Sequence, residues 1–560
     1  MTDSSDAPIA PPLVELPIDT HDKGFYDGFS RAVTIPSKII VSLIIMWAIF
    51  FPVSASETLS AANSTIIAQF SGWYVYLVAL MMLVCFGLAL WPAAGRLKIG
   101  AADEQPEFNR FSWFAMLFGA GIGIGMLTYS TGEPLAHFAN NPDIIRGTIE
   151  PLSEEAVRPA YVYTFLHWGF AAWGTYALVG LAIGYVAYRR DLPLTIRSAL
   201  APLFGLRLSG IWGHVIDIVA VVATILGVAV TMGFGVEQFV AGLARLGLGD
   251  WLLNSDGSSS AMAIVISLLV LVGASTLSAL SGVGKGIKWL SNLNMGLSFA
   301  LLALFAIVGS GLLGLEYLVV GVSDYIRTLV PNSLTLFSGG TALGDQLVQW
   351  QLDWSVFYWA WWIAFAPFVG MFIARISRGR TVREYVLGVV LVPSLMCFTW
   401  MALVGGTAID LELSGAAGGS IVGTGISDQL FATLSVLLTP GVASLVSGLV
   451  VILLMTYLVT SVDSAILIVN TINGAGETDG QRRYHIIFWG AALAFVVGSM
   501  LILGGIDAIR ITMIIGALPF SFVVALMAIS IIKAVAFDIR RKRHGVPTTA
   551  EGCAEWIEGK

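Results

Sequence analysis

The stretch WSVFYWAWWIAFAPF, residues 354–368, sets Trp354, Phe357, Tyr358, Trp359, Trp361, Trp362 and Phe365 into one apolar run closed by Pro367. A run this long, this apolar and without a charge after Asp353 reads as a membrane-crossing helix. Membrane helices are mostly Leu, Ile and Val, so large electron-rich rings in mid-span call for another explanation. An interfacial belt of aromatic residues accounts for Trp354 at the end of the run, but not for Trp361 and Trp362 near its middle. The face of a Trp or Tyr ring attracts a cation, and several such faces around a quaternary ammonium form a cage that needs no N–H donor from the solute. At helical spacing Tyr358, Trp362 and Phe365 share one stripe, with Trp361 alongside.

The whole chain agrees with a membrane setting. Its 560 residues are 57% hydrophobic and 12% charged, with a mean hydropathy of +0.84. Only a helix bundle or a closed barrel satisfies all backbone groups inside a bilayer, and the continuous apolar runs select helices. Twelve spans are expected: 37–54, 72–94, 110–132, 160–187, 213–241, 260–280, 291–314, 353–374, 384–406, 440–470, 485–504 and 508–535. With the N-terminus inside, the cytoplasmic connections carry Arg96, Lys98, Arg110, Arg189, Arg190, Arg197, Arg207, Lys285, Lys288, Arg375, Arg378, Arg380, Arg383, Arg482 and Arg483. The outer ones hold Arg146, Arg158, Arg245, Arg327 and Arg510. This asymmetry places both termini in the cytoplasm. The first residues lack the basic start and apolar core of a signal peptide.

The three cysteines are scattered and the six histidines dispersed, which gives no disulfide framework and no metal-ligand spacing. No nucleophile, base or metal-ligand cluster is visible at membrane depth, which argues against an enzyme, and nothing points to nucleic acid.

A second unusual span carries FGAGIGIGM, residues 118–126, with glycine at 119, 121, 123 and 125. Glycine weakens a helix by about 1 kcal/mol relative to alanine. Four at alternate positions invite unwinding, whose bared carbonyls and N–H groups can meet ions and carboxylates; close helix packing is the simpler alternative. Glu133 and Pro134, at the outer end, read as cap and turn. The third and eighth spans are five apart, the signature of a transporter with two inverted five-helix repeats. The expected organisation is an N-terminal tail (1–36), two extra helices (37–94), a first repeat (110–314), an outer amphipathic helix (316–337), a second repeat (353–535) and a short basic C-terminal tail (536–560), with both tails mobile.

A second aromatic set, FLHWGFAAWGTY, puts Trp168, Trp173 and Tyr176 within an arc of about 140° on a continuous helix, so two facing helices could close a box. In LVTSVDS, residues 458–464, Thr460 and Ser461 offer hydroxyls to a hard cation such as sodium, or else bond back to their own helix. Asp463 is functional by default if it lies in the membrane interior.

FGAGIGIGM, GVGKGIKWLSNLNM and above all WAWWIAFAPFVGMFIARISRGRTVREYVLGVVLVPS resemble the betaine/choline/carnitine transporter family, over nearly all twelve spans. The resemblance implies a LeuT-like core of two inverted repeats preceded by two helices, commonly trimeric, in a bacterial inner membrane. It implies a substrate box of Trp168, Trp173, Tyr176 and Trp362, with Trp361, Phe357 and Phe365 binding or gating along the pathway and Phe372 further inward. It implies a sodium site at Gly119, Ile122, Thr460 and Ser461, and a second at Thr224. The glycine backbone at Gly121, Gly123 and Gly125 would meet a solute carboxylate.

Phe365 stands where the family often has Trp, Val228 where a second threonine ligand would be, and Thr128 where an aromatic is usual. No acidic residue lies between Gly119 and Thr128, as proton-coupled choline members tend to have, and no Lys or Arg lies between Ile218 and Val236, as sodium-independent exchangers tend to have. The expected activity is sodium-coupled import of a small onium solute. Glycine betaine is favoured, with choline, carnitine, ectoine and dimethylsulfoniopropionate open. Sodium is the coupling ion and there is no other cofactor. A sodium-independent exchanger or a proton symporter on the same fold, or a membrane osmosensor, are the alternatives. The short tail after RRKRH argues against the last.

Overall fold

The computed structural model describes residues 9–121, 123–281, 286–477 and 483–558. Ile122, Lys285 and Arg482 lie outside the described residues. The long helices are α1 Arg31–Phe50, α2 Pro52–Leu90, α3 Arg110–Gly121, α4 Ile124–Ala139, α5 Glu154–Trp168, α6 Phe170–Arg190, α7 Ile211–Arg245, α8 Ala261–Ser281, α9 Gly286–Ile307, α10 Gly311–Leu334, α11 Phe357–Ile376, α12 Val382–Trp400, α13 Pro440–Asn473 and α14 Arg483–Arg543. The architecture is all-helical, and among the described residues ten segments are long and apolar enough to cross a membrane.

Several boundaries differ from the sequence expectation for local reasons. The last two expected spans are one segment, α14, bent where Gly504 and Gly505 leave helical torsions (Gly505 φ 65°, ψ −153°). The basic RRKR run is the end of this helix rather than part of a free tail. The span expected to reach 314 stops at Ile307, and α10 starts afresh at Gly311, where any Cβ would collide with the Ala306 carbonyl. α11 is entered through a π-helical turn, Leu352–Val356, which re-aims the aromatic run relative to the preceding helix Ala342–Gln351.

The described parts of both tails are docked rather than loose. The Ser30 N–H donates to the Asn473 carbonyl (2.8 Å), and His485 Nε2 lies 3.0 Å from the Phe25 carbonyl. Arg189 donates to Thr548 (2.6 Å), ahead of a terminal helix Ala550–Glu558. At the same end Asp538 accepts from Tyr185 (2.8 Å), Arg190 (3.2 Å) and Arg541 (2.8 Å), which ties α6 to α14.

The packing that positions the aromatic rings is α6 against α11. The two backbones cross at Gly180 and Gly370. A Cβ on Gly370 would lie 2.8 Å from the Val179 side chain and 3.0 Å from the Gly180 nitrogen; one on Gly180 would lie 2.7 Å from the Gly370 carbonyl. Small residues allow such contact between membrane helices, where dispersion rather than the hydrophobic effect holds helices together. Gly180→Leu should therefore lower the melting temperature in detergent by several degrees, matching the roughly 1–3 kcal/mol of overpacking. An unchanged melt would show that the crossing is not tight.

Candidate functional site

Two helix breaks create the site. The first is Gly123 (φ −154°, ψ −163°), extended between α3 and α4, within the glycine run where unwinding is expected. The second is Gly169 (φ −93°, ψ −136°), between α5 and α6, in what the sequence presents as a single span. A Cβ at Gly169 would crowd the Phe165 carbonyl (2.5 Å) and the Phe398 and Tyr325 side chains (2.7 Å each). The Phe170 N–H released by the break donates to the Tyr325 hydroxyl (2.9 Å). Trp168 thus ends one helix while Trp173 and Tyr176 sit on the next, which replaces the single arc expected for a continuous helix.

The rings converge nonetheless. Trp361 and Trp362 stack at 4.9 Å and 15°. Trp168 stands edge-on to Trp362 at 5.2 Å and to Trp361 at 6.4 Å. Tyr176 meets Trp362 at 6.0 Å, Trp173 at 5.5 Å and Phe365 at 6.5 Å. Gly125 is the floor between two walls: a Cβ there would lie 3.2 Å from both Trp168 and Trp361. Phe357 packs on Trp361 at 5.5 Å, under the Arg510 guanidinium 4.0 Å from its ring centre. Phe372 is half-buried and, among the described residues, outside these ring contacts. The rings touch one another, so a solute gains the space between them only if the helices part.

Tyr129, Phe234 and Tyr358 complete the cluster. Tyr129 lies 6.0 Å from Trp168, Phe234 5.5 Å from Trp361, and Tyr358 stacks 5.4 Å from Trp362.

Glu133 corrects the sequence reading most sharply. It is neither cap nor turn but fully buried. Trp168 Nε1 (2.5 Å) and the Tyr358 hydroxyl donate to one carboxylate oxygen; His167 Nδ1 (2.6 Å) and His137 Nε2 (3.3 Å) approach the other. Two of the histidines that look dispersed in sequence thus converge. The Glu133, His137 and His167 ligand atoms lie within 4.8 Å of one another and could in principle hold a metal ion. Each carboxylate oxygen already has two hydrogen-bond partners, however, so the ligands are committed to one another. The sequence signals were an acid within an apolar helix and the four-residue spacing of Glu133 and His137.

The expected sodium ligands are less gathered. The Thr460 hydroxyl is half-buried; it lies 3.1 Å from the Thr456 carbonyl of its own helix and 3.4 Å from the Asn294 amide nitrogen. Ser461 is half-buried beside it. Gly119 is exposed, with open space where a Cβ would stand. Thr224 is buried and bonds back to Ala220 (2.8 Å). No hydrogen bond joins Gly119, Thr460, Ser461 and Thr224 among the described residues. Asp463 is interior rather than at a helix end: it is buried and accepts from Ser278 (2.8 Å).

Gly125→Leu drives a side chain between Trp168 and Trp361. The near-ultraviolet circular dichroism, which reports asymmetric packing of rings, should change while the helical far-ultraviolet signal stays. Unchanged spectra in both regions would refute this packing.

Residues 32–540 match the family model described as BCCT, betaine/carnitine/choline family transporter. The chain is 35% identical over 505 residues to the osmo-independent choline transporter BetT1 of Acinetobacter baylyi, covering 89% of this chain and 92% of that one. It is 36% identical over 502 residues to the glycine betaine transporter OpuD of Bacillus subtilis (90% and 93%). It is 36% identical over 484 residues to the high-affinity choline transport protein of Escherichia coli (86% and 68%). A solved structure of a Na+-coupled sialic acid symporter aligns over 86% of this chain and 97% of that one at 12% identity, with a TM-score of 0.38, a likeness too distant to argue from. The relatives are transporters and not enzymes. On the match across 32–540, this chain belongs to the betaine/carnitine/choline family of transporters.

Proposed function

We propose that the chain imports a small onium solute, with glycine betaine the favoured substrate, in symport with sodium. The observation that carries this is the closure of Trp168 and Trp361 on Gly125, in the first turn of a broken helix, with Trp362 and Tyr176 packed beside them inside the bundle. Rings in this arrangement attract a charge that offers no hydrogen bond. Choline and glycine betaine share the trimethylammonium head, so the cage serves either. The extended backbone at Gly123 is then available to a carboxylate if the solute has one.

The α3–α4 pair, counted as one crossing, and the second half of α14 bring the ten candidate segments to twelve. An even number puts both termini on one side, and the positive charge of the connections makes that side cytoplasmic. We place the chain in a bacterial inner membrane, with two inverted five-helix repeats behind two additional helices and a trimer as the assembly. Sodium at Gly119, Ile122, Thr460 and Ser461, and a weaker site at Thr224, would organise the broken α3–α4 segment. One bundle then rocks against the other and parts the rings.

Loss of one cage wall removes about 1–2 kcal/mol of cation–π attraction. Trp362→Ala should therefore raise the half-saturating betaine concentration by about 5- to 30-fold, and an unchanged value would refute the cage. In proteoliposomes, labelled glycine betaine should accumulate under an inward sodium gradient and not when potassium replaces sodium. Equal uptake in both would keep the cage and discard sodium coupling. Accumulation driven by a proton gradient alone would assign the coupling to a proton.

A further inference from the structure

The Glu133 carboxylate is the one feature of the site that the cage alone does not require, and it is placed where it acts on the cage. Its four hydrogen-bond partners come from three elements: His137 from its own helix α4, His167 and Trp168 from α5, and Tyr358 from α11. Trp168 Nε1 and the Tyr358 hydroxyl both donate to one of its oxygens, as they would to a carboxylate. His137 Nε2 lies 3.3 Å from the other carboxylate oxygen and His167 Nδ1 2.6 Å from that same oxygen, and His167 Nε2 lies 3.0 Å from Ser355 Oγ.

Two of those donors are conjugated with rings of the cage. An indole N–H held by a carboxylate at 2.5 Å pushes electron density onto the indole face, and a phenol held the same way does so onto its ring. Trp168 stands edge-on to Trp362, and Tyr358 stacks on it. The His167 carbonyl also accepts from Trp362 Nε1 (2.9 Å), so the same node fixes the orientation of Trp362. In a low-dielectric surrounding a carboxylate charge this close is weakly screened, and cation–π attraction grows with the negative potential of the ring face.

We propose that Glu133 is a positioning residue for substrate recognition. Through Trp168 and Tyr358 it orients the cage, makes its ring faces more negative and sets its preference for a positive charge over a neutral group of equal shape. This rests on the proposed onium recognition above.

The test is binding of choline and of its uncharged isostere 3,3-dimethylbutan-1-ol to the purified full chain in nanodiscs, by calorimetry. The wild-type chain should bind choline much more tightly than the isostere. Glu133→Gln should reduce that preference by about tenfold, mostly through weaker choline binding. Tyr358→Phe, which keeps the ring and removes its donor to Glu133, should reduce it in the same direction. That variant decides the matter if Glu133→Gln does not fold. An unchanged preference in a folded variant, or equal weakening of both ligands, overturns the proposal and leaves Glu133 a structural brace. Failure of the wild-type chain to bind choline or glycine betaine overturns the onium reading itself, a separate result.

Discussion

A backbone N–H or carbonyl inside a bilayer has no water to turn to, so a membrane helix can be broken only where protein supplies the missing partner. Among the described residues two breaks shape the site, at Gly123 and Gly169, and the rest of the site follows from how they are supported. At the second, Tyr325 takes up the freed N–H. The first delivers Gly125 into the aromatic cluster with no side chain to block it. Glu133, two turns further along α4, then gathers donors from both neighbouring helices. A carboxylate in this position is expensive unless every lone pair is used, and the arrangement around it uses them.

Much of this was legible in the sequence because composition alone drives it. The apolar runs mark the helices, and the glycine repeat marks the first break. The tryptophans at 361 and 362 sit too deep in their helix to be interfacial. The second break was not legible: a single Gly169 in an apolar run looks like an ordinary small residue, and only the crowding by Phe398 and Tyr325, distant in sequence, forces it. Glu133 was misread for a related reason. Its partners at 167, 168 and 358 are brought to it by tertiary packing, and Glu-Pro after an apolar helix imitates a stop signal. The kink at Gly504–Gly505 separates α14 into the two spans expected there, whereas the restart at Gly311 depends on backbone torsion rather than hydropathy.

The packing also bears on how such a site could work. The rings contact one another, so binding and release need relative motion of α4, α5–α6 and α11. The α6–α11 crossing at Gly180 and Gly370 is glycine against glycine, which keeps Tyr176 and Trp362 in register. α5 and α6 are separate helices at Gly169, so Trp168 is tied to Glu133 while Trp173 and Tyr176 belong to α6.

The central claim is that these rings hold the charged head of the solute. It is tested most directly by an electron cryo-microscopy structure of the chain with glycine betaine bound. The expected result is density for the trimethylammonium group within about 6 Å of the centroids of Trp168, Trp361 and Trp362, with those rings moved apart from their present contact. Betaine density elsewhere in the bundle, with the three rings still packed on one another, would contradict the account.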